Sequence, residues 1–210
     1  TVRVIVRDHR VIVGILHTPD PLDRRYPWVF RPRVTLRTIV AYGLLRLAHV
    51  NPDGGAIVDP FCGSGTIPVE AATCFSNLQV FASDIDPVAV ATSRANVGAC
   101  GLTGHVEVRR ADIVHVADRL KGIEVQAVVT NPPYGVRLGA SLDFGALYRA
   151  ILNSARAVLP IGGRLVLMSS KRRGRLNRVL AEQPDWRIRH VRVIETGGVF
   201  PAIFVLERRS

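Results

Sequence analysis

The chain has 210 residues, of which 48% are hydrophobic and 21% are charged, a composition that fits one domain with a substantial core. No apolar run approaches the roughly 20 residues needed to cross a bilayer, and no signal-peptide pattern opens the chain, so we expect a cytoplasmic protein that does not enter membranes. The net charge of +11 results from 28 basic and 17 acidic residues, and the basic residues are all Arg except Lys121 and Lys171. This charge favours a polyanionic partner, because Arg matches phosphate geometry, although genome composition can also enrich Arg.

The N-terminal region is predicted to contain two strands, a loop and a helix. Alternating apolar and polar residues predict a strand over residues 2–7, and a second strand, Val11–Leu16, follows a polar turn. Residues 18–33 form a Pro- and Arg-rich loop. Helical spacing then predicts a helix from Val34 to Ala48, which ends before the breaker Asn51–Gly55. Because the sequence begins with Thr1, we expect the native chain to be longer.

Beyond that breaker, apolar runs alternate with helical patterns. The predicted strands are Ala56–Val58, Val80–Ser83, Val106–Arg109, Val125–Thr130, Gly163–Ser169, Arg187–Ile194 and Val199–Leu206. The predicted helices begin near Ile67 and cover Pro87–Ala99, Phe144–Leu159 and about Leu176–Glu182. This alternation predicts an α/β fold with a mostly parallel sheet between two helix layers, closed by an antiparallel hairpin with a short turn at 195–198. We divide the chain into an N-terminal part, residues 1–50, and a main domain, residues 51–210.

The segment Asp59-Pro60-Phe61-Cys62-Gly63-Ser64-Gly65-Thr66 lies between the first strand of the main domain and its helix. Glycines there allow the backbone to approach a ligand closely, and the helix N-terminus offers free N–H groups. No Gly-Lys-Ser/Thr follows, which disfavours ATP hydrolysis, and the spacing is not G-x-G-x-x-G, which disfavours a dinucleotide. The segment therefore predicts a ligand-binding turn of another kind.

Acidic residues recur where the predicted strands end. Asp84 ends the second strand, where acids of nucleotide-binding sheets accept hydrogen bonds from ribose hydroxyls, and Asp112 ends the third, where it can accept from an adenine amine. Either residue alone is better explained as a turn or capping aspartate. Together with Asp59 after the first strand and Asn131 after the fourth, they predict a nucleotide-like ligand at this edge of the sheet.

The tetrapeptide Asn131-Pro132-Pro133-Tyr134, directly after the buried strand Val125–Thr130, is the most informative motif. The two prolines present carbonyls without N–H groups, and Asn131 is pushed toward an extended conformation because it precedes a proline. With the Asn131 amide oxygen and the flat ring of Tyr134, they form an acceptor-rich cup that suits a planar ring carrying an exocyclic –NH2 group. The alternative is a rigid turn with no chemical role.

Together these motifs resemble the class I S-adenosylmethionine-dependent methyltransferases that act on exocyclic amines. A closer resemblance, to the THUMP-associated RNA guanine-N2 methyltransferases of tRNA and rRNA, is carried by Asp23–Tyr26, Asn131–Gly139, Leu147-Tyr148, Gly162–Arg164 and Thr196–Gly198. It implies a Rossmann-like fold whose seven-stranded sheet has the order 3-2-1-4-5-7-6 with the seventh strand antiparallel. It also implies S-adenosyl-L-methionine as the cofactor and RNA as the partner. We favour tRNA because no second catalytic domain is attached.

The resemblance assigns residues to roles. Cofactor contacts are implied for Asp59, Phe61, Cys62, Gly63, Ser64, Gly65, Thr66, Asp84, Ile85, Asp112, Ile113 and Asn131. Catalytic roles are implied for Asn131, Pro132 and Tyr134. Contacts with the substrate are expected from Pro133, from Arg137 just past the cup, and from Lys171, Arg172 and Arg173 after the fifth strand, although a solvated surface explains these cations equally well. Family members usually carry an N-terminal THUMP RNA-binding domain, so such a domain is missing from this chain or supplied otherwise.

Other functions stay open on the sequence alone. Methyltransferases of adenine N6, and of a glutamine amide in release factors, use a similar cup. The basic charge disfavours a protein substrate, and the resemblance over Gly135–Gly139 disfavours adenine. Asn rather than Asp at position 131 favours the guanine-N2 branch. A non-catalytic RNA-binding subunit is the alternative from another class, but it has no need for the acids at the strand ends.

The cysteines and histidines indicate no further chemistry. Cys62, Cys74 and Cys100 show no C-x-x-C spacing, and the six histidines show no ligand spacing, so we predict neither a metal site nor a disulfide. Cys62 is better explained as a small packing residue than as a nucleophile. The enzymes that methylate ring carbons carry a Pro-Cys dipeptide in the catalytic loop, and this sequence contains no such dipeptide.

Overall fold

The computed structural model describes residues 1–18, 22–32, 35–133, 143–170, 174–196 and 198–210. The strands among them are β1 (Val2–Arg7), β2 (Arg10–Ile15), β3 (Ala56–Asp59), β4 (Gln79–Asp84), β5 (Val106–Arg110), β6 (Val125–Thr130), β7 (Arg164–Ser170), β8 (Trp186–Val193) and β9 (Pro201–Arg208). The α-helices are α1 (Thr38–Leu47), α2 (Thr66–Cys74), α3 (Pro87–Ala99), α4 (Phe144–Val158) and α5 (Arg175–Ala181). None of the described helices is long and apolar enough to cross a membrane.

Seven of the strands form one sheet in the order β5-β4-β3-β6-β7-β9-β8. The pairs from β5 to β7 are parallel, whereas β9 runs antiparallel to both β7 and β8. This is the strand order that the resemblance implied, and it confirms the predicted α/β fold. Because β3 leads to β4 on one side and has β6 on the other, the order reverses between β3 and β6, which is where α/β sheets bind ligands.

Two hydrophobic cores cover the two faces of the sheet. Helices α1, α2 and α3 bury their apolar side chains in one core, and helices α4 and α5 bury theirs in the other. Strand β7 shows how one sequence serves both: Val166 and Met168 enter the first core, while Leu165 and Leu167 enter the second. Successive side chains of a strand point to opposite faces, so the uniformly apolar strands predicted from the sequence are strands buried on both sides.

The N-terminal hairpin of β1 and β2 is confirmed, and both strands are exposed along their whole length. Cross-strand pairing places only branched aliphatic side chains on one face, for example Val4 opposite Val13 and Val2 opposite Ile15. The other face carries Arg7 opposite Arg10. The division of the chain at residue 50 stays a prediction.

Three predicted boundaries were wrong. Helix α1 begins at Thr38 rather than Val34, since Arg37 is extended (φ −72°, ψ 139°) and Val34 lies outside the described residues. Asp112 does not end β5 but follows it by two residues and caps a short 3₁₀ helix, Ile113–His115. The connection between β8 and β9 covers residues 194–200, with an isolated bridge between Thr196 and Val199, so the turn is longer than predicted and β9 starts at Pro201.

Candidate active site

A cavity of about 680 Å³ opens at the carboxyl ends of the parallel strands. It brings together the turn after β3, the ends of β4 and β6, and the segment after β5. The lining residues are Thr35, Leu36, Asp59, Pro60, Phe61, Cys62, Gly63, Ser64, Thr66, Ile67, Asp84, Ile85, Asp86, Ala89, Ala111, Asp112, Ile113, Asn131, Pro132, Pro133, Leu147, Met168, Thr196 and Val199. The ligand-binding turn and the described part of the cup, residues 131–133, therefore face one cavity.

The turn after β3, residues 59–66, is held close to the sheet by its own backbone. The Cys62 N–H donates to the Ser83 carbonyl on β4 at 2.9 Å, and the Gly65 N–H donates to the Cys62 carbonyl at 2.8 Å. Gly65 is the N-cap of α2 with φ 88°, a left-handed conformation that favours glycine. Thr66 and Ile67, in the first turn of α2, line the cavity, and the free N–H groups of a helix N-terminus can serve an anionic or polar ligand.

Asp59 is a buried carboxylate with one satisfied oxygen and one unsatisfied oxygen. Its Oδ1 accepts from Thr130 Oγ1 at 2.7 Å and from the Phe61 N–H at 3.2 Å. Its Oδ2 is buried and has no hydrogen-bond partner within the described part of the chain. Burial raises the pKa of Asp59 to about 7, although the hydrogen bonds from Thr130 and Phe61 oppose that rise. An N–H group of a ligand in the cavity would satisfy the free oxygen.

Asp84 and Asp112 act in local turns and also line the cavity. Asp84 Oδ2 accepts from the Gly63 N–H at 3.0 Å, which links β4 to the turn after β3, and Asp84 Oδ1 accepts from the Asp86 N–H at 3.0 Å. Asp112 Oδ1 accepts from the Val114 N–H at 3.2 Å. Both acids thus have the local turn or capping role that their positions predicted. Carboxylate oxygens accept more than one hydrogen bond, so both acids keep capacity for a ligand.

The cup follows β6, the strand next to β3, and its described residues face the same cavity. Asn131, Pro132 and Pro133 all line the cavity, and Asn131 Oδ1 is buried without a hydrogen-bond partner among the described residues. Tyr134, the fourth member of the predicted cup, lies outside the described residues, as do Arg137, Lys171, Arg172 and Arg173. Their assignments stay predictions.

All predicted cofactor residues except Gly65 line the cavity. Gly65 does not line it but shapes the turn beneath. Cys62 is buried, and burial, followed by the nearby Asp59 and Asp84, raises its pKa above the ordinary value. A thiol held in the protonated form is a poor nucleophile, in keeping with a packing role. Within the described residues no group of His, Cys, Asp and Glu side chains could hold a metal ion.

Sequence reasoning assigned no site role to several lining residues. Thr35 and Leu36 were placed in a helix, although they precede it and form part of the cavity wall. Val199 was placed in a strand, and Met168 gave no signal beyond that of a core strand. Thr196 belonged to a quoted motif of the resemblance, and that motif was the one signal that could have brought this loop to the site.

Comparison with known proteins identifies the family. Residues 28–202 match the family described as RMKL-like, methyltransferase domain. A tRNA (guanine(6)-N2)-methyltransferase of Thermus thermophilus is 40% identical over 208 residues, which cover 99% of this chain and 60% of that protein. The tRNA (guanine(6)-N(2))-methyltransferase THUMP3 of Bos taurus is 33% identical over 215 residues, which cover 97% of this chain and 42% of that protein.

Solved structures agree with this match. The crystal structure of TrmN from Thermus thermophilus has a TM-score of 0.83 and 39% identity, covering 99% of this chain and 59% of that one. A possible methylase from Clostridium difficile 630, at 20% identity with a TM-score of 0.77, shares the fold over 100% of this chain and 62% of that one. The present chain spans about three fifths or less of its curated tRNA-modifying relatives. The fold is that of class I S-adenosylmethionine-dependent methyltransferases, and the chain belongs to the family of RMKL-like methyltransferase domains.

Proposed function

We propose that this chain is the catalytic part of a tRNA methyltransferase that adds a methyl group from S-adenosylmethionine to N2 of a guanine, at position 6 as in the relatives named above. The observation that carries the proposal is the buried Asn131 Oδ1, which has no partner among the described residues and lies on the same cavity as the turn at 59–66. A buried acceptor without a partner costs stability. A substrate amine supplies that missing partner.

The residues of the cavity fit the proposed cofactor. Asp59 Oδ2, for which the described residues supply no partner, suits an ammonium group, as in the amino-acid end of the cofactor. Asp84, at the end of β4, suits ribose hydroxyls, and Asp112 suits an adenine amine. When bound, S-adenosylmethionine supplies an electrophilic methyl group on a sulfonium. The donor set of three acids and a glycine turn thus matches an amino acid joined to a nucleoside.

The cup would prepare the guanine amine as a nucleophile. The lone pair of an aromatic amine is delocalised into its ring, which makes it weakly nucleophilic. Asn131 Oδ1 and the Pro132 carbonyl can accept the two N–H bonds of the amine and hold its lone pair in one direction. The prolines contribute no competing N–H donors. We assign Tyr134 to stacking on the base, which must first leave its stack in the RNA.

Positioning of this kind is sufficient without a strong base. Orienting two reactants for direct displacement lowers a barrier by roughly 7–11 kcal/mol at the ideal limit. The methylated amine is an ammonium and loses its proton readily to water. The buried Asp59 is thus needed for binding rather than for proton transfer.

The relatives favour guanine in tRNA over the other substrates of similar cups. The proteins that match at 40% and 33% identity are named for guanine 6 of tRNA, and the net charge of +11 suits RNA. Relatives named for U6 snRNA match at 26% identity over a smaller part of the chain. Methylated adenosine as the product would indicate an adenine-N6 methyltransferase instead, and a methylated protein glutamine would indicate a glutamine-amide methyltransferase.

Replacing Asn131 tests the cup. We predict that Asn131→Ala lowers tRNA methylation by at least a hundredfold, because the amine loses its side-chain acceptor, while the affinity for S-adenosylhomocysteine changes less than threefold. Filter-bound methyl transfer and calorimetry measure the two quantities. The matched control is Asn51→Ala. Asn51 is exposed, and its side-chain oxygen accepts from the Asp53 N–H before β3, at the opposite edge of the sheet. Turnover by Asn131→Ala at the wild-type rate would refute the proposed role of the cup.

A further inference from the structure

Asn96, on α3, connects an N-terminal segment to the turn after β3, residues 59–66, which is called the cofactor turn below. Its side chain is fully buried. Its Oδ1 accepts from the Val29 N–H at 2.9 Å and the Phe30 N–H at 3.2 Å. Its Nδ2 donates to the Phe30 carbonyl and to the Ser64 carbonyl, both at 2.9 Å. An amide has two donors and two favourable acceptor positions, so this one side chain is fully used in joining residues 29–30 to the turn at 59–66.

The same N-terminal segment has a second anchor on α2. Glu70 is fully buried and pairs with Arg25, while Tyr26 Oη donates to Glu70 Oε2 at 2.8 Å. Burial raises the pKa of Tyr26 to about 12, so the hydroxyl remains a donor at neutral pH. Tyr26 also packs edge-on against Trp28, with ring centroids 5.4 Å apart. Residues 25–30, called the strap below, are thus fixed to α2 and α3, the helices that follow strands β3 and β4.

Two residues that follow the strap in sequence belong to the cavity wall. Thr35 and Leu36, which follow it before α1, line the cavity together with Ser64. Helix α3 also contacts the turn through Ser93, which lies about one helical turn before Asn96. A Cβ added at Gly65 would lie 2.7 Å from Ser93 Oγ. The strap, α3 and the turn therefore form one packed unit beneath the cofactor cavity.

We propose that Asn96 is a positioning residue that couples the seating of the strap to cofactor binding. With the strap in place, the Ser64 carbonyl is held at its position in the turn and Thr35 and Leu36 complete the wall. Only an amide meets this demand, because a carboxylate at position 96 would put negative charge against the carbonyls of Phe30 and Ser64. The inference rests on the cofactor assigned in the proposed function and adds residues that were not predicted as part of the site.

The first test compares Asn96 with Gln126, two side-chain amides that form hydrogen bonds with backbone groups at opposite edges of the sheet. Asn96→Asp is expected to weaken S-adenosylhomocysteine binding at least tenfold in calorimetry. The control is Gln126→Ala. Gln126 accepts from the Asn51 N–H at 2.8 Å and donates to the Gly54 carbonyl, away from the cavity. We expect this control to lower the melting temperature and to leave the affinity within twofold of wild type.

A second test needs no variant at a fully buried position. We expect release of the strap to speed trypsin cleavage after Arg24 and Arg25, because the ion pair with Glu70 holds Arg25 in place. Saturating S-adenosylhomocysteine should therefore slow this cleavage at least threefold relative to cleavage after Arg10 in the exposed hairpin. Tyr26→Phe removes one bond to Glu70 and should reduce that protection. These measurements decide the matter if Asn96→Asp does not fold.

Each outcome distinguishes the inference from the proposed function. Wild-type protein that fails to bind S-adenosylhomocysteine would contradict the cofactor assignment itself. Wild-type protein that binds it, together with an Asn96→Asp variant of equal affinity or an equally weakened Gln126→Ala control, would overturn the role of Asn96. Unchanged cleavage after Arg24 and Arg25 on ligand binding would overturn the coupling to the strap.

Discussion

At the scale of single residues, two lining residues carry buried acceptors that have no partner in the described part of the chain, and these acceptors define what the cavity can bind. Asp59 Oδ2 and Asn131 Oδ1 lie on the two neighbouring strand ends, β3 and β6, and both residues line the cavity. Each unmet buried acceptor costs about 1–3 kcal/mol. A ligand ammonium at Asp59 and a substrate amine at Asn131 would remove both costs. Binding specificity for N–H groups follows from this arrangement.

The raised pKa of Asp59 predicts a particular pH dependence of stability. The carboxyl titrates near 7 in the folded protein, against 3.8 ordinarily, so the folded state holds the proton more tightly. The stability from this group is complete below pH 3.8 and is lost as the pH rises through 7, a change of at most about 4 kcal/mol. We expect Asp59→Asn to lose less stability than wild type between pH 5 and pH 8 in urea unfolding. Equal losses in the two proteins would contradict the assigned pKa.

At the scale of elements, the contact between the cofactor turn and α3 leaves no space for a Cβ at position 65 unless the Ser93 hydroxyl moves. A Cβ at Gly65 would lie 2.7 Å from Ser93 Oγ, and the φ of 88° is strained for any other residue. The turn can approach α3 this closely because glycine is present.

A set of glycine variants tests this contact. Gly65→Ala should reduce S-adenosylhomocysteine affinity at least tenfold. Gly101→Ala introduces a similar strain (φ 69°) in open space and should leave the affinity within twofold. Adding Ser93→Ala to Gly65→Ala removes the clashing oxygen and should restore part of the affinity by calorimetry. A double variant no better than Gly65→Ala would show that strain alone explains the loss.

The sequence predicted the strands well and the long-range polar contacts not at all. Buried parallel strands are continuous apolar runs, so β4 and β6 were recognisable from composition. The start of α1 and the loop at 194–200 were wrong because residues there line the cavity instead of extending their elements. Asn96 and Glu70 gave no local signal, since their partners are 66 and 45 residues away along the chain.

At the scale of the whole molecule, the strand order produces the site. The reversal between β3 and β6 places residues 59–66 beside residues 131–133, although about seventy residues separate them in sequence. Thr35 and Leu36, which follow the strap in sequence, line the same cavity from outside the sheet. Cofactor binding should therefore stabilise the entire fold rather than one loop.

Thermal unfolding measures this stabilisation. A ligand at a hundred times its Kd adds about 2.7 kcal/mol, which corresponds to a rise in Tm of roughly 5–11 °C for a domain of this size. Asp84→Ala should lose most of that rise, because the Gly63 N–H and the ligand both lose an acceptor. The control Asp53→Ala, at an exposed position before β3, should keep it. Equal shifts in both variants would contradict the role of Asp84.

The central claim is that one cavity joins the cofactor turn to a cup for the guanine amine. Methyl transfer from tritiated S-adenosylmethionine to unmodified tRNA, followed by nucleoside analysis of the product, tests it most directly. We predict N2-methylguanosine in tRNA, located at position 6. Label found only in methylated adenosine, or only in protein, would contradict the account.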